Sequence, residues 1–242
     1  MRRCFLSVLL LFALPLSAAI SKVQQSLLAN VSSSTTCVAT LSSSTTSQNL
    51  LVVWATWTPG NTVSVTSVGD SVPANSFPIA VGPTLQANAS PQISAQIFYA
   101  ANITGHTGGD SVTVQFSGTA TTASCAAVEY SGADLSYPLD STTAGFSNSG
   151  GTGTALDSGF AAPTYGSQNN LLIFGAGTTD AGTLATGGGG TTFSLILPST
   201  PASSVLEQNI PTSPVNTLQH ATATSSQPGN WLMQMAAFRP PP

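Results

Sequence analysis

Apolar and hydroxylated side chains alternate along much of this chain. The segment 111–116 places an apolar residue at every second position, with Ser, Thr or Gln between, and 62–68 follows nearly the same pattern. This period of two puts the apolar set on one face of a pleated strand, which predicts half-buried strands. The segments 50–54 and 171–174 are instead continuously apolar, which is typical of central strands that are covered on both faces.

Clusters of Gly, Pro, Asn and Ser separate several more segments of strand-like composition. Strands are predicted at 93–100, 123–130, 192–197, 203–210, 218–224 and 231–238. The segment 21–28 is the one stretch compatible with a short helix. Elsewhere Val, Thr and Gly disfavour helices. Many short strands spaced by turn residues predict an all-β fold, an antiparallel β-sandwich of the jelly-roll-like kind.

The first 19 residues have the three parts of an export signal. Arg2 and Arg3 supply a positive start, 5–16 is an apolar stretch, and 17–19 is a small-residue cleavage site. The apolar stretch is too short to span a bilayer, and no later segment approaches the roughly 20 apolar residues of a membrane helix. We therefore expect a secreted protein, extracellular or at the cell surface, that begins near Ile20 and does not insert into a membrane.

Residues 20–242 are predicted to form a single β-sandwich domain, since all-β units of this size commonly fold as one. The segment 47–53 is echoed by 167–174, which predicts structurally equivalent strands in the two halves of the chain. The segment 141–159 is dominated by Ser, Thr and Gly and is predicted to be a long surface loop. Alternatively, 141–159 links two small sandwiches, although sheets of four or five strands need each other for burial.

Charged residues make up 5 % of the chain, and their balance is acidic. After removal of the signal, Lys22 and Arg239 are the basic side chains left, against eight Asp and Glu residues. Nucleic acid binding depends on Lys and Arg that neutralise phosphates, so no nucleic acid partner is expected. An anionic membrane surface is disfavoured for the same reason. Low charge also weakens the repulsion between copies, which leaves self-association open.

Two cysteines remain after the signal is removed, because Cys4 leaves with it. Cys37 and Cys125 form an even pair in a chain expected to reach an oxidising compartment, so we predict a disulfide between them. The alternative is two buried thiols on separate strands, since the sequence does not show whether their Cα atoms come within about 7 Å.

Two carboxylates in one cleft, about 5 to 10 Å apart, are the requirement for glycoside hydrolysis. Glu129 and Glu207 are the only two glutamates and form the natural pair. For Glu129 we favour the alternative that it braces the Ser131-Gly132 turn by hydrogen bonding to the backbone. Glu207 lies in a polar strand end and is expected to be solvated.

Other catalytic and metal sites find little support in the sequence. His106 and His220 lie far apart, with no Gly-x-Ser-x-Gly element at a strand-to-helix junction and no Cys-x-x-Cys pair. Loop aspartates could bind Ca²⁺, but their spacing is irregular, and so we expect neither a metal nor a cofactor. These aspartates are Asp70, Asp110, Asp134 and Asp140.

Aromatic side chains give the clearest binding signal. Trp54 and Trp57 are three residues apart, so they point to opposite faces of a strand; we expect Trp54 in the core and Trp57 near the surface. Aromatic rings with a polar group suit a half-wet sugar site, so we predict ligand binding by Trp57, Tyr99, Glu129 and Tyr137. The alternative is that these large rings fill the sandwich core.

The chain resembles a group of exported bacterial β-sandwich domains that share a Glu-Tyr-Ser-Gly element followed by Pro-Leu-Asp. The matching segments are Leu50 to Val53, Thr62 to Val68, Tyr99 to Ile103, Glu129 to Gly132, Pro138 to Asp140 and Trp231 to Arg239. The resemblance spans nearly the whole mature chain and implies the sandwich fold, but the group brings no defined activity. The turn at 69–77 departs from the group's pattern, so no ligand contact is carried over there.

Three functions are compatible with the sequence. We favour a secreted noncatalytic module that binds a carbohydrate or a cell-surface partner, because aromatic residues are available and no catalytic constellation is evident. A self-associating structural surface protein is the first alternative, motivated by the depleted charge. The second is a concanavalin-like glycoside hydrolase that uses Glu129.

Overall fold

The structure, a computed structural model, describes residues 19–146, 154–164, 170–187, 193–198, 202–213 and 217–242. Residues 1–18 of the predicted signal, the polar turn at 167–169 and part of the predicted loop at 141–159 lie outside the described residues. Within them the secondary structure consists of strands, with no helix. No helix that could cross a membrane is therefore found in this part of the chain.

Fifteen strands are formed by the described residues. They are β1 (Ser21–Gln25), β2 (Ala29–Leu41), β3 (Leu50–Thr58), β4 (Val65–Gly69), β5 (Ile79–Gln86), β6 (Ile93–Ala100), β7 (Asp110–Ser131), β8 (Leu139–Phe146), β9 (Ala155–Asp157), β10 (Leu172–Thr179), β11 (Leu184–Thr186), β12 (Ser194–Leu197), β13 (Ser204–Asn209), β14 (Thr222–Ser225) and β15 (Trp231–Phe238). All their pairings are antiparallel, which confirms the predicted all-β sandwich.

The first sheet has seven strands and is organised around β7, which is 22 residues long. β1 and β2 follow one another along one edge of β7, and β3 and β4 follow one another along the other edge. β6 and β5 extend the sheet beyond β3. The first part of β7 alternates as predicted, with Val112, Val114 and Phe116 buried and the residues between them partly exposed.

The long β2 and β7 ribbon folds back over β3, which creates a core on the outer face of the first sheet. We call this the fold-over core; it includes Leu51, Val53, Trp57, Val114 and Phe116. The predicted disulfide is confirmed, with Cys37 and Cys125 bonded and their Cα atoms 6.1 Å apart. In the β-ladder Cys37 lies opposite Val114 and Cys125 opposite Ala29, so the bond spans the fold rather than joining neighbours on the ladder.

A second sheet, in the order β12-β13-β10-β15-β8, packs on the inner face of the first. The shared core between the two sheets draws large side chains from both halves of the chain, among them Trp54, Val128, Phe174, Leu206 and Phe238. β10, and β3 up to Trp57, are buried central strands of their sheets, as the continuously apolar segments predict. They occupy the equivalent positions that the repeated pattern in 47–53 and 167–174 indicates.

Polar side chains also join the two sheets. The Tyr130 hydroxyl on β7 donates to Gln208 Oε1 at 2.8 Å, and Gln234 Nε2 on β15 donates to Thr84 Oγ1 and to the Ala95 carbonyl at 2.9 Å each. Burial raises the pKa of Tyr130 well above its ordinary value, so the hydroxyl keeps its proton and remains a donor. These bonds cross a core that both halves build, which favours one domain over two separable sandwiches.

A small outer sheet, in the order β11-β14-β9, covers the other face of the second sheet. The outer core between them includes Leu156, Ile173, Val205, Ala223 and Met233. The described part of 141–159 therefore contributes two strands, β8 and β9, and the prediction of a long surface loop is wrong there. Cross-strand pairing overcomes the weak apolar pattern, since β8 pairs with β15 along nearly its whole length.

The predicted helix at 21–28 is also wrong, because Ser21–Gln25 forms β1. This short segment adds to the edge of β7, with Ser21 opposite Ser131 and Gln25 opposite Val128. A helix as short as eight residues is marginal in water, whereas a strand on an existing edge satisfies its backbone at once.

The loop that follows the Glu-Tyr-Ser-Gly element and leads into Pro-Leu-Asp contacts the end of β15. Arg239 pairs with Asp134 at 3.3 Å, donates from Nε to the Tyr137 carbonyl at 2.6 Å and from its backbone N–H to the Pro138 carbonyl at 2.8 Å. Burial raises the pKa of Asp134, but the N–H groups of Tyr137 and Ser136 together with the Arg239 guanidinium outweigh it and lower the pKa. Arg239 therefore holds the loop 132–138 against the end of the C-terminal strand.

Candidate functional site

A cleft of about 540 Å³ opens where ends of the two sheets meet. The first sheet contributes the C-terminal end of β3, the middle of β7 and the start of β6; the second contributes the end of β10 and the start of β13. Ten of the seventeen described lining residues are Ser or Thr. They are Thr56, Thr58, Ser90, Thr121, Thr122, Ser124, Thr178, Thr179, Ser203 and Ser204.

Several of these hydroxyl groups are held by hydrogen bonds. Thr58 Oγ1 and Thr122 Oγ1 lie 2.8 Å apart on the neighbouring strands β3 and β7. Ser124 Oγ donates to Asn30 Oδ1 at 2.6 Å on the other side of β7. Each such pair uses part of its bonding capacity internally, and a hydroxyl offers one donor and two acceptor positions. The donor and acceptor positions that are not used internally suit a ligand that is itself rich in hydroxyl groups.

Trp57 lines this cleft but does not present a ring face to it. Its side chain is 2 % exposed, its Nε1 donates to the Val63 carbonyl at 2.7 Å, and its ring packs on Phe116 with centroids 5.8 Å apart. Trp54 and Trp57 point to opposite faces of β3, as predicted, but the expectation that Trp57 lies near the surface is wrong. The fold-over of β2 and β7 covers the second face of β3, so both rings are core.

Asp180 is the one carboxylate among the described lining residues, and it lies at the end of β10. Asn230 donates to it twice, from the backbone N–H to Oδ1 at 2.8 Å and from Nδ2 to Oδ2 at 2.7 Å. No Lys, Arg or His is found among those lining residues. The cleft therefore offers hydroxyls and one fixed negative charge.

The other residues predicted to bind ligand lie away from the cleft. Tyr99 is half-buried on β6 and packs edge-on against Phe238, with ring centroids 5.7 Å apart. Tyr137 is 74 % exposed in the loop 132–138. Of the four predicted residues, the structure therefore brings only Trp57 to the cleft. Tyr99 and Glu129 lie beside the start of β3, and Tyr137 lies beside the end of β15, whereas the cleft lies at the other ends of these strands.

Glu129 is fully buried and braces a loop, although not the one predicted. Its Oε1 accepts from the Thr46 N–H at 2.8 Å and from Asn49 Nδ2 at 2.6 Å, and its Oε2 accepts from Gln24 Nε2 at 2.6 Å. These partners belong to the β2–β3 loop and to β1, not to the Ser131-Gly132 turn. The carboxylate thus secures the chain entering β3 and is enclosed by its own donors.

Replacing Glu129 with Gln should lower the free energy of unfolding by about 2 kcal/mol. The isosteric amide keeps the volume but loses the charge on its three hydrogen bonds and turns an NH₂ group toward a buried donor. Urea denaturation measures the change. Gln24→Ala, which removes one donor at a part-exposed position, should cost less; equal unfolding midpoints for Glu129→Gln and the wild type would contradict this role.

Glu207, expected to be solvated, is fully buried on β13. It faces the outer core, where Gly175 of β10 leaves room for it: a Cβ on Gly175 would lie 2.9 Å from Glu207 Cγ. Burial raises the pKa of Glu207 to about 8, and the nearby backbone N–H groups of Thr222 and Gly187 offset this only in part. Among the described residues, neither carboxylate oxygen has a hydrogen-bond partner of regular geometry.

The two glutamates do not form a catalytic pair across one cleft. Glu129 alternates with Val128 and Tyr130 of the shared core and so faces the fold-over side of the first sheet, whereas Glu207 alternates with Leu206 and faces the outer sheet. Both sheets and the shared core lie between them. The polar residues next to Glu207 in the sequence did not indicate its burial, because the layers that cover it come from distant parts of the chain.

A histidine and a carboxylate form a second polar cluster on the outer sheet. His220 Nδ1 lies 3.0 Å from both oxygens of Asp157, and the imidazole stacks on the exposed Phe160 ring with centroids 4.2 Å apart. The nearby Ser158 is fully buried, and its hydroxyl donates to the Gly159 carbonyl and accepts from the Ala221 N–H. This serine is thus not available to the imidazole as a nucleophile.

The loop aspartates considered as Ca²⁺ ligands bind separate protein groups. Asp70 accepts from Val72 N–H and Asn75 Nδ2, while the buried Asp110 accepts from Ser71 N–H and the Thr45 hydroxyl. Across the part of the chain that the structure describes, no three His, Cys, Asp or Glu side chains come together as a metal site.

Most of the cleft residues carry no signal in the sequence. Thr121-Thr122 and Thr178-Thr179-Asp180 are unremarkable in a chain rich in Ser and Thr, and they become neighbours only when the sheets pack. A carboxylate directly after a Thr-Thr pair at the end of a buried strand was the one available signal.

Comparisons of this chain with protein-family models, with curated proteins and with solved structures find no match.

Proposed function

We propose that this protein is a secreted noncatalytic β-sandwich that binds a glycan in the cleft between the ends of its two sheets. The observation that carries the proposal is the lining itself, which combines accessible hydroxyl side chains with apolar groups. The accessible hydroxyls are those of Thr58, Ser90, Thr121, Thr122, Ser124 and Ser203, and the other four lining residues of this kind, Thr56, Thr178, Thr179 and Ser204, are buried. Val31, Pro91 and Ile93 supply apolar contacts between the hydroxyls. Specific pockets of this kind combine apolar walls with a few placed polar groups.

Export supports the same function. The buried disulfide between Cys37 and Cys125 is compatible with an oxidising, extracellular setting, where polysaccharides are exposed. Phosphate-bearing ligands are disfavoured, because the described lining residues include no cationic side chain to pair with them. The ligand class is thus a sugar polymer rather than a nucleotide or an anionic lipid.

Edge pairing between copies, the self-association alternative, is less well supported. One edge strand of the first sheet, β5, contains Pro83 and has two irregularities in its register with β6. One edge strand of the second sheet, β12, has four residues and is followed by Pro198. Short strands, bulges and prolines are the features by which native sheets block pairing at their edges.

Binding to a panel of insoluble glycans tests the proposal. The double variant Thr58→Val with Thr122→Val removes the paired hydroxyls without changing side-chain shape, and we expect about tenfold weaker binding from the two lost hydrogen bonds. The matched control is Thr40→Val with Ser111→Ala, which removes a similar hydroxyl pair, 3.4 Å apart, on the neighbouring strands β2 and β7 outside the cleft. Equal binding by both double variants, or no retention of the wild type on any glycan, would overturn the proposal.

A further inference from the structure

Asp180 is exposed, yet several hydrogen bonds with Asn230 hold it in one place. Besides the two hydrogen bonds from Asn230, the backbone N–H of Asp180 donates to the Asn230 carbonyl at 3.0 Å. Gly229 allows this approach, since a Cβ at that position would lie 2.7 Å from Asp180 Oδ1. The carboxylate is therefore preorganised at the rim of the cleft.

This charge has no protein cation beside it in the cleft. Of the two basic residues outside the predicted signal, Lys22 donates to Gln25 Oε1 at 2.5 Å and Arg239 pairs with Asp134 at 3.3 Å. Neither belongs to the described cleft lining. Asp180 is exposed at the rim, where a fixed negative charge beside a concave surface attracts the cationic group of a ligand seated in the cleft.

We propose that the cleft selects glycans that carry free amines, with Asp180 as the counter-ion for the ammonium group of an amino sugar. This inference rests on the proposed function, because the surrounding hydroxyls recognise the sugar while Asp180 decides which sugar is preferred. An ammonium offers three donors, and each Asp180 oxygen, which accepts one hydrogen bond from Asn230, has a further lone pair with which to accept from it. An acidic glycan is repelled by the same charge.

The test compares a glucosamine oligomer with its fully N-acetylated counterpart of the same length, by calorimetry at about pH 5. We expect the wild type to bind the free-amine oligomer five- to tenfold more tightly, with the preference shrinking between about 50 and 500 mM salt as screening increases. Asp180→Asn should abolish the preference while retaining binding of the N-acetylated oligomer. Asp140→Asn, the same charge change on β8 outside the cleft, should keep it.

The outcomes separate this inference from the proposed function. Equal affinity of the wild type for the two oligomers, or an unchanged preference in Asp180→Asn, would overturn the role of Asp180 and leave glycan binding standing. Binding of neither oligomer would remove this inference, and a blank result on the whole glycan panel would remove the proposed function as well. Equally tight binding of tetralysine would show a general attraction for polycations and so overturn amino-sugar selection.

Discussion

Replacing Cys37 and Cys125 together with alanine should lower the free energy of unfolding by about 4 to 5 kcal/mol. The bond closes a loop across a sequence separation of 88, and the chain-entropy relation gives this magnitude for a loop of that length. Guanidinium or urea denaturation of the oxidised wild type and the double variant measures it. We expect a loss of this size because the bond ties the folded-back part of β2 to the middle of β7.

Reduction of the wild type provides the control for this prediction. The reduced wild type and the double alanine variant should unfold at nearly the same denaturant concentration, since both lack the same constraint on the unfolded chain. Amide exchange should quicken in β2 before it does in the shared core, because β2 depends on the fold-back. An unfolding midpoint of the double variant equal to that of the oxidised wild type would contradict the prediction.

Replacing Glu207 with Gln should stabilise the protein at alkaline pH and flatten the pH dependence of its stability. Burial raises the pKa of Glu207 from 4.5 to about 8, so between these values the folded state holds a proton that the unfolded state has released. The free energy of unfolding therefore falls as pH rises through this window. Above about pH 8 Glu207 is ionised in both states, and the contribution of its retained proton is absent. The linkage is on the order of 3 to 5 kcal/mol.

Urea unfolding of the wild type and Glu207→Gln from pH 4 to pH 9 tests this sign and size. At pH 4 Glu207 of the wild type is protonated in the folded state and largely protonated in the unfolded state, so the difference there measures the cost of the amide itself. The other titrating groups are common to both proteins and cancel in the difference. A difference that stays constant from pH 4 to pH 9 would contradict a buried, neutral Glu207.

Much of the fold could be predicted from local pattern. β6 and β15 have the bounds that their apolar composition indicates, and β3 and β10 are the buried central strands that continuous apolar runs favour. β2 was missed because its first half, 29–36, is mostly small and polar, and its pairing with β7 is what makes it a strand. β1 was predicted as a helix for a similar reason, since its strand partner is more than a hundred residues away.

The candidate site was much less predictable. The aromatic pattern pointed to Trp57, and it does line the cleft, but as a buried ring whose face is covered by Phe116. Glu207 was expected to be solvated and Glu129 to brace the Ser131-Gly132 turn, and both are buried by layers that distant segments supply. Asp180 gave almost no signal, because its importance comes from the hydroxyls and from Asn230 that packing brings beside it.

The sequence by itself determined the strand-forming rhythm, the low charge, the even cysteine pair and the central strands of both sheets, because each follows from neighbouring residues or from composition. Only the tertiary structure decided that the β2 and β7 ribbon folds back, that an outer sheet covers Glu207, and that the ends of two sheets enclose a hydroxyl-lined cleft. Burial and convergence depend on which distant strands become neighbours, and a period of two in one strand carries no information about what covers its second face.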